Sequence, residues 1–537
     1  MHALSFEFGD KYVTFKGYKV AFRVYTLYNV YTLNPSRMKL SGSDDFLTVE
    51  ADSFSWAGLQ RERDGYFKAE LRATAEGFEV EAEASHEEPM KAVGILIKDL
   101  EGGLISGTDW SFEEVKGIVT YSYPHPWLSL TKYLVAPLIL IKHNDGSYTY
   151  ALSSDTEVRP KRFRVEVKEG RINLSLFHEE DARKLGKEIS TPPWEIGRTR
   201  KPEGVIAKRM KAMEEAWGLK PWEERGDVPE WAREICLVIN LHFKHWTGFA
   251  FNTYRKAKGV LKWIAERIDG KRVLVYMTGW DGRYYYDYPR LRPDPDLGGE
   301  REFRELIDLA HSLGMHVIPM TSAVAVGFTH VSEYGFEDAL VTDKYGNKLV
   351  ENWVDWDEDG ERDNIWYPIN LGYPKVRKYF LERIIELVEE YRIDGIFLDI
   401  SCFYENDPKY NFYEGLRGLI RELLSRYKGR FLVMGECWYD ALLPLIPLTH
   451  AHSLLPKNWN YFYLKYARMA YHLSWPAPGG STGVHEAGFQ RFELPKVDSP
   501  IIPTLSIVHD TLEKYGKEAE EVIKIALKWG KRWGIIR

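Results

Sequence analysis

Residues 393–401 read Ile-Asp-Gly-Ile-Phe-Leu-Asp-Ile-Ser, and residues 431–440 read Phe-Leu-Val-Met-Gly-Glu-Cys-Trp-Tyr-Asp. Each is a short apolar run that closes on a carboxylate, Asp399 in the first and Glu436 in the second. Between them, residues 411–428 place Leu416, Leu419, Ile420, Leu423 and Leu424 on one face at helical spacing. The order is strand, helix, strand, with an acid at the end of each strand. A β/α barrel carries its chemistry at the C-terminal ends of its strands. Neighbouring strands lie about 4.8 Å apart, so two such acids sit roughly 5 Å apart, the spacing used by retaining glycosidases. Either acid alone reads as a helix N-cap or an ion-pair partner. Two in succession, each among aromatics (Phe397, Phe403, Tyr404; Trp438, Tyr439), read as a catalytic pair.

The same rhythm extends outward. Strand candidates are 235–243, 272–278, 316–321, 395–400, 431–436, 451–455 and 501–508, and helix candidates 254–268, 300–313, 374–391 and 411–428 lie between most of them. The helix before Asp399 has Pro374 in its first turn and a stripe of Val376, Phe380, Ile384, Leu387, Val388 and Tyr391. Alternating βα units of this size predict a parallel sheet closed into a (β/α)8-type TIM barrel over residues 230–537. Only seven strands are counted, so the eighth is the short tail 533–537 or is missing.

Residues 1–190 read differently. Runs rich in Val, Ile, Tyr, Phe and Thr alternate apolar and polar positions, as in Phe78-Glu79-Val80-Glu81-Ala82-Glu83, and turn signals such as Asn144-Asp145-Gly146 separate them. This predicts an N-terminal antiparallel β-sandwich. Thr191-Pro192-Pro193-Trp194 breaks the pattern, so 191–229 reads as a linker containing one helix, 205–217.

Composition narrows the class. At 537 residues two domains are expected. The net charge is −7 and no long basic block appears, which argues against a nucleic-acid partner. No apolar run approaches the roughly 20 residues that span a bilayer. The N-terminus has neither a basic start nor an apolar core, so no signal peptide is expected and the reading is cytoplasmic. The cysteines, Cys236, Cys402 and Cys437, are scattered and predict no disulfide framework. Only Gln60 and Gln490 stand against 79 acidic and 72 basic residues, which suggests a thermophilic source.

Gly435-Glu436-Cys437-Trp438, Asp399 at the end of the fourth candidate strand and Val508-His509-Asp510 after the last one together resemble the α-amylase superfamily and the related endo-α-N-acetylgalactosaminidases. The resemblance covers roughly residues 230–510. It implies Asp399 as nucleophile, Glu436 as acid/base, and His509 and Asp510 as the His-Asp pair after strand seven, Asp510 with the catalytic set and His509 on the sugar hydroxyls. It implies an oligo- or polysaccharide substrate, an α-linked bond, hydrolysis or transglycosylation, and no required cofactor. The chain departs from the pattern at Phe397, where an Arg stands in the family, at Val508, where an Asn stands, and at 316–321, which lacks the family's strand-three motif.

Other candidates flank this pair. The loop 279–289 is almost all aromatic and charged, and Trp280, Asp281 and Tyr286 read as substrate wall together with Trp438. His242, His245, His450 and His452 fall at plausible rims. Asp355, Asp357, Asp359 and Asp363 follow the start of an EF-hand calcium loop, although position 12 is Trp366 and not Glu. Two competing readings are a non-catalytic carbohydrate-binding protein on a barrel scaffold and a metal-dependent hydrolase using His242, His316, Asp399 and Glu436.

Overall fold

A computed structural model describes residues 4–7, 10–108, 110–124, 132–350, 359–360, 365–451, 460–477, 487–494 and 500–536. Eight parallel strands close into a barrel: β1 (Leu237–His242), β2 (Val273–Thr278), β3 (His316–Ser322), β4 (Gly395–Asp399), β5 (Leu432–Glu436), β6 (Leu448–Ala451), β7 (Arg468–His472) and β8 (Ile501–Ile507). β8 pairs with β1, Val238 opposite Thr504, and completes the ring. The residues of β1, β2, β4 and β8 are buried on both faces, as strands lined by a packed interior and covered by helices must be.

The expectation of a short or missing eighth strand was wrong. The strand overlooked is β7, Arg-Met-Ala-Tyr-His, whose short mix of polar and apolar residues hid it among loop residues. The described part of the tail, 533–536, is no part of the barrel, and the last strand is the eighth, not the seventh.

Five of the six long helices follow the sequence signals; the sixth, Thr511–Arg532, was not foreseen. They are α1 (Pro202–Trp217), α2 (Tyr254–Ala265), α3 (Gly299–Ser312), α4 (Pro374–Tyr391), α5 (Phe412–Arg426) and α6 (Thr511–Arg532). Thr253 caps α2 by accepting from the Lys256 N–H at 3.2 Å, and Asn411 caps α5 from Glu414 N–H at 2.9 Å. In α4 the expected stripe is buried: Val376, Phe380, Ile384, Leu387 and Tyr391.

The N-terminal region is built of strands paired almost wholly antiparallel. Gly77–His86 buries Phe78, Val80, Ala82 and Ala84 while its glutamates turn outward. It pairs with Arg61–Ala73 on one side and with Trp194–Thr199 on the other. Trp194–Thr199 lies inside the stretch read as linker. Two prolines in front of it masked a strand that is fully part of the sheet, with Tyr148–Ser153 as its second neighbour.

The N-terminal sheet and the barrel meet at the loops that follow the two candidate acids. Asp440, four residues beyond Glu436, is fully buried. It accepts from Tyr123 Oη at 2.6 Å and from Arg209 Nε of α1 at 2.7 Å. Arg209 donates its other arm to the Asp155 carbonyl at 2.6 Å. In the loop after β4, Asn406 exchanges hydrogen bonds with Ala182 N–H and the Glu180 carbonyl, and Tyr404 donates to the Val158 carbonyl. Removing one partner of a buried ion pair strands the other charge in low dielectric. Asp440→Ala is therefore expected to destabilise the protein by about 3–5 kcal/mol, read as a lowered denaturant midpoint. Arg209→Met combined with Asp440→Leu should recover most of that loss.

Candidate active site

The ends of β4 and β5 carry the acids because their registers run in step: Leu398 lies opposite Gly435, so Asp399 and Glu436 are neighbours on the C-terminal face. The two carboxyl groups are close enough for each to shift the other's proton affinity. Two carboxyls held this far from water lower their energy by sharing a proton instead of keeping two charges apart.

The surroundings set which acid keeps the proton. Asp399 is 4% exposed. Burial raises its pKa, but a hydrogen bond from Tyr285 Oη to Oδ2, at 2.8 Å, and the contact with Glu436 favour its ionised form. Glu436 is pushed well above the ordinary carboxyl range, first by desolvation, then by the neighbouring Asp399 charge and by Cys437. Its Oε2 accepts from Ile400 N–H at 3.1 Å, which offsets only part of that rise. Asp399 still ends above the ordinary carboxyl range, at about 6, but Glu436 is pushed up strongly as well and holds the shared proton more readily.

The backbone after each acid is forced. Ile400 has φ 54° and Cys437 has φ 51°, so the chain turns left-handed immediately beyond both carboxylates. For a β-branched residue this conformation is a real outlier, and each such residue costs roughly 1–3 kcal/mol. Ser401 ties the two turns together. Its Oγ accepts from Glu436 N–H at 2.9 Å and donates to the Glu436 carbonyl at 3.2 Å. Gly435 makes this approach possible, since a Cβ there would meet Ser401 Oγ at 2.4 Å and Ile446 at 2.9 Å.

Tyr285 was missed by sequence reading, which singled out Trp280, Asp281 and Tyr286 from the same loop. Its own φ of 65° turns its ring inward, against Tyr288 and over Trp366. Only that local turn distinguishes it from the tyrosines on either side. Trp280 does not form a pocket wall. Its ring is wholly buried, stacks on Phe303 of α3 and donates from Nε1 to the Met320 carbonyl at 2.9 Å, so it packs between barrel and helix. Asp281 is also buried. It accepts from Leu291 N–H at 2.9 Å, and desolvation pushes its pKa up to about 7, a scaffold role within the loop. Tyr286 is partly exposed, with Arg283 over its face at 4.0 Å. Trp438 is nearly buried, its ring against Tyr463 at 4.4 Å.

His509 and Asp510 follow β8, not a seventh strand, so the match to a His-Asp pair after strand seven does not hold. Asp510 pairs with Lys514 at 3.0 Å at the start of α6. His509 is exposed and packs on Phe249. The residue that ends β7 is His472. It touches His450 and Tyr276, and its Nδ1 lies 2.9 Å from Ser506 Oγ, inside the barrel. His450 sits opposite Glu436 in the register.

The metal-hydrolase set is broken. His316 opens β3, whose other end, Ser322, lies beside Asp399. Six strand residues separate them, about 20 Å. The His316 ring instead stacks on Trp231 and contacts Asp394. His242 is buried at the end of β1, and His245 contacts Thr247 Oγ1 at 2.8 Å. His452 and three of the four expected calcium ligands, Asp355, Asp357 and Asp363, lie outside the described residues; Asp359 is exposed. Among the described residues, no group of three or more His, Cys, Asp or Glu side chains is arranged to hold a metal ion. No described helix is long and apolar enough to cross a membrane.

No family model matches the chain. A stretch of 164 residues is 26% identical to the cyclomaltodextrinase of Geobacillus thermopakistaniensis, covering 28% of this chain and 25% of that protein. A stretch of 134 residues is 28% identical to the malto-oligosyltrehalose trehalohydrolase of Saccharolobus solfataricus, covering 25% of this chain and 20% of that one. The matched stretches thus span about a quarter of these relatives or less. Among solved structures, the α-N-acetylgalactosaminidase of Bifidobacterium bifidum superposes with a TM-score of 0.72 at 13% identity, over 100% of this chain and 93% of the other. The chain is thus similar in part of its sequence to enzymes of the α-amylase group, and along its whole length it shares the fold of a barrel glycoside hydrolase.

Proposed function

We propose that this protein is a retaining glycoside hydrolase acting on an α-linked O-glycosidic bond, with Asp399 as nucleophile and Glu436 as acid/base. The observation that carries the reading is the pair of buried, interacting carboxyls on adjacent strand ends, with Tyr285 donating to Asp399. Such a pair leaves no room for a water between the acids, which is what inversion needs. The name of the α-N-acetylgalactosaminidase and the amylase-group relatives support an α-linked substrate. We also read the N-terminal strands as a sandwich whose task is to hold the loops beyond Asp399 and Glu436.

In the first step Asp399 attacks the anomeric carbon. The glycosidic C–O bond breaks, and the Glu436 proton goes to the departing oxygen. In the second, Glu436 takes a proton from water as the water's oxygen displaces Asp399 from the sugar. The hydrogen bond from Tyr285 stabilises Asp399 as a carboxylate before attack and after release. A sugar hydroxyl in place of water gives transglycosylation through the same intermediate.

A panel of nitrophenyl α- and β-glycosides tests the class. Turnover of an α-glycoside is expected, with the α-anomer as first product by proton NMR; a β-anomer first would reject retention. Asp399→Asn should lower kcat by about 10⁴-fold or more. Glu436→Gln should cost roughly 10²- to 10⁴-fold on substrates with poor leaving groups and less on nitrophenyl substrates, whose turnover azide restores.

The pH profile of kcat/KM should be bell-shaped. The raised pKa of Glu436 means its proton is present at low pH and lost on the alkaline side, while Asp399 is neutralised on the acid side. Tyr285→Phe removes a donor that favours the ionised Asp399. Its pKa must then rise, and the acid limb should move to higher pH by about one unit. An acid limb that stays in place would exclude this role for Tyr285.

A further inference from the structure

Four side chains stand on the loops that follow β1, β2 and β3 at the C-terminal face of the barrel. Phe249, in the loop after β1, is 52% exposed, and Phe328, after β3, is 39% exposed. They are two of the four large hydrophobic residues left exposed among the described residues of the barrel. Arg283 and Tyr286, in the loop after β2, lie between them. Gly248 borders the Arg283 side chain, whose Nε donates to the Trp246 carbonyl at 2.5 Å. The Arg283 guanidinium lies 4.0 Å over the Tyr286 ring, and Tyr286 meets Phe328 edge-on at 6.0 Å. The loops are tied as well, Gly327 N–H donating to the Tyr288 carbonyl at 2.9 Å. Arg283, Tyr286 and Phe328 thus touch in series, and Phe249, which packs on Phe251 and His509, follows the glycine that borders Arg283.

The chemistry of this strip points to sugar. A pyranose offers apolar C–H faces with hydroxyls around the edge, and an aromatic face beside a fixed guanidinium matches both. A rigid platform also lowers the ordering cost of binding. Tyr285, the residue before Tyr286, donates to Asp399, so one loop supplies both the strip and a partner of the reacting centre. Four side chains laid side by side exceed the footprint of one ring.

Resting on the glycosidase reading above, we infer that Phe249, Arg283, Tyr286 and Phe328 form an aglycone platform, and that the substrate is an oligosaccharide with at least two sugars beyond the scissile bond. Apolar side chains this exposed do not hold the core, so their truncation should leave folding intact, checked by thermal melting.

The test compares kcat/KM on two probes with one glycone: its nitrophenyl glycoside, and the same sugar α-linked to a trisaccharide. In Phe249→Ala and Phe328→Ala the tetrasaccharide-to-nitrophenyl ratio should fall about tenfold each, the usual scale for losing one aromatic from a binding surface. Phe249→Trp should keep the ratio. A ratio unchanged in both alanine variants would overturn the platform while leaving the glycosidase reading intact. Absence of turnover of every probe by the unmodified protein would overturn the glycosidase reading itself.

Discussion

Asp440 and Arg209 form an ion pair without solvent access, 2.7 Å apart, and much of the architecture hangs on it. Asp440 belongs to the loop that leaves β5, Arg209 to the helix between the two halves of the chain, and Tyr123, the second donor to Asp440, to the N-terminal sheet. Three parts of the protein thus converge on one carboxylate. A pair this deeply buried recovers its desolvation cost only when every polar atom of the carboxylate is met. Here both oxygens are, and the Asp440 N–H donates to the Val135 carbonyl as well. The position of Glu436, four residues earlier, is set by this clamp from one side and by the strand from the other.

Rigidity at that point matters because the site is strained. Left-handed turns at Ile400 and Cys437 follow the two acids directly, and a third at Tyr285 aims the phenol at Asp399. Such conformations persist only when the surroundings over-determine them. Ser401, bridging both turns through the Glu436 backbone, and the N-terminal sheet, gripping Tyr404, Asn406 and Asp440, supply that determination. The N-terminal region is in this sense part of the site's support.

The likeness to the Bifidobacterium structure at 13% identity shows how little of this depends on particular core residues. Strands buried on both faces and helices with one apolar stripe are met by many sequences, and the fold follows from the pattern. The site depends on far fewer positions, which have narrow tolerance, such as Gly435, where no side chain fits.

The sequence by itself determined the βα rhythm of the barrel and the two strand-end acids, because apolar periodicity and the position of a carboxylate within a strand are local properties. The α4 stripe and the ends of β4 and β5 were legible for that reason. Tertiary structure decided what depends on neighbours distant in sequence. β7 is a strand because β6 and β8 pair with it, although its own short mixed sequence reads as loop. Trp194–Thr199 is a strand because Tyr148–Ser153 and Gly77–His86 flank it. Trp280 and Tyr285 stand five residues apart in one aromatic loop, yet the first packs behind the barrel and the second holds Asp399. Backbone torsion, which no composition of a loop reveals, sends one ring outward to Phe303 and the other inward to the carboxyl pair.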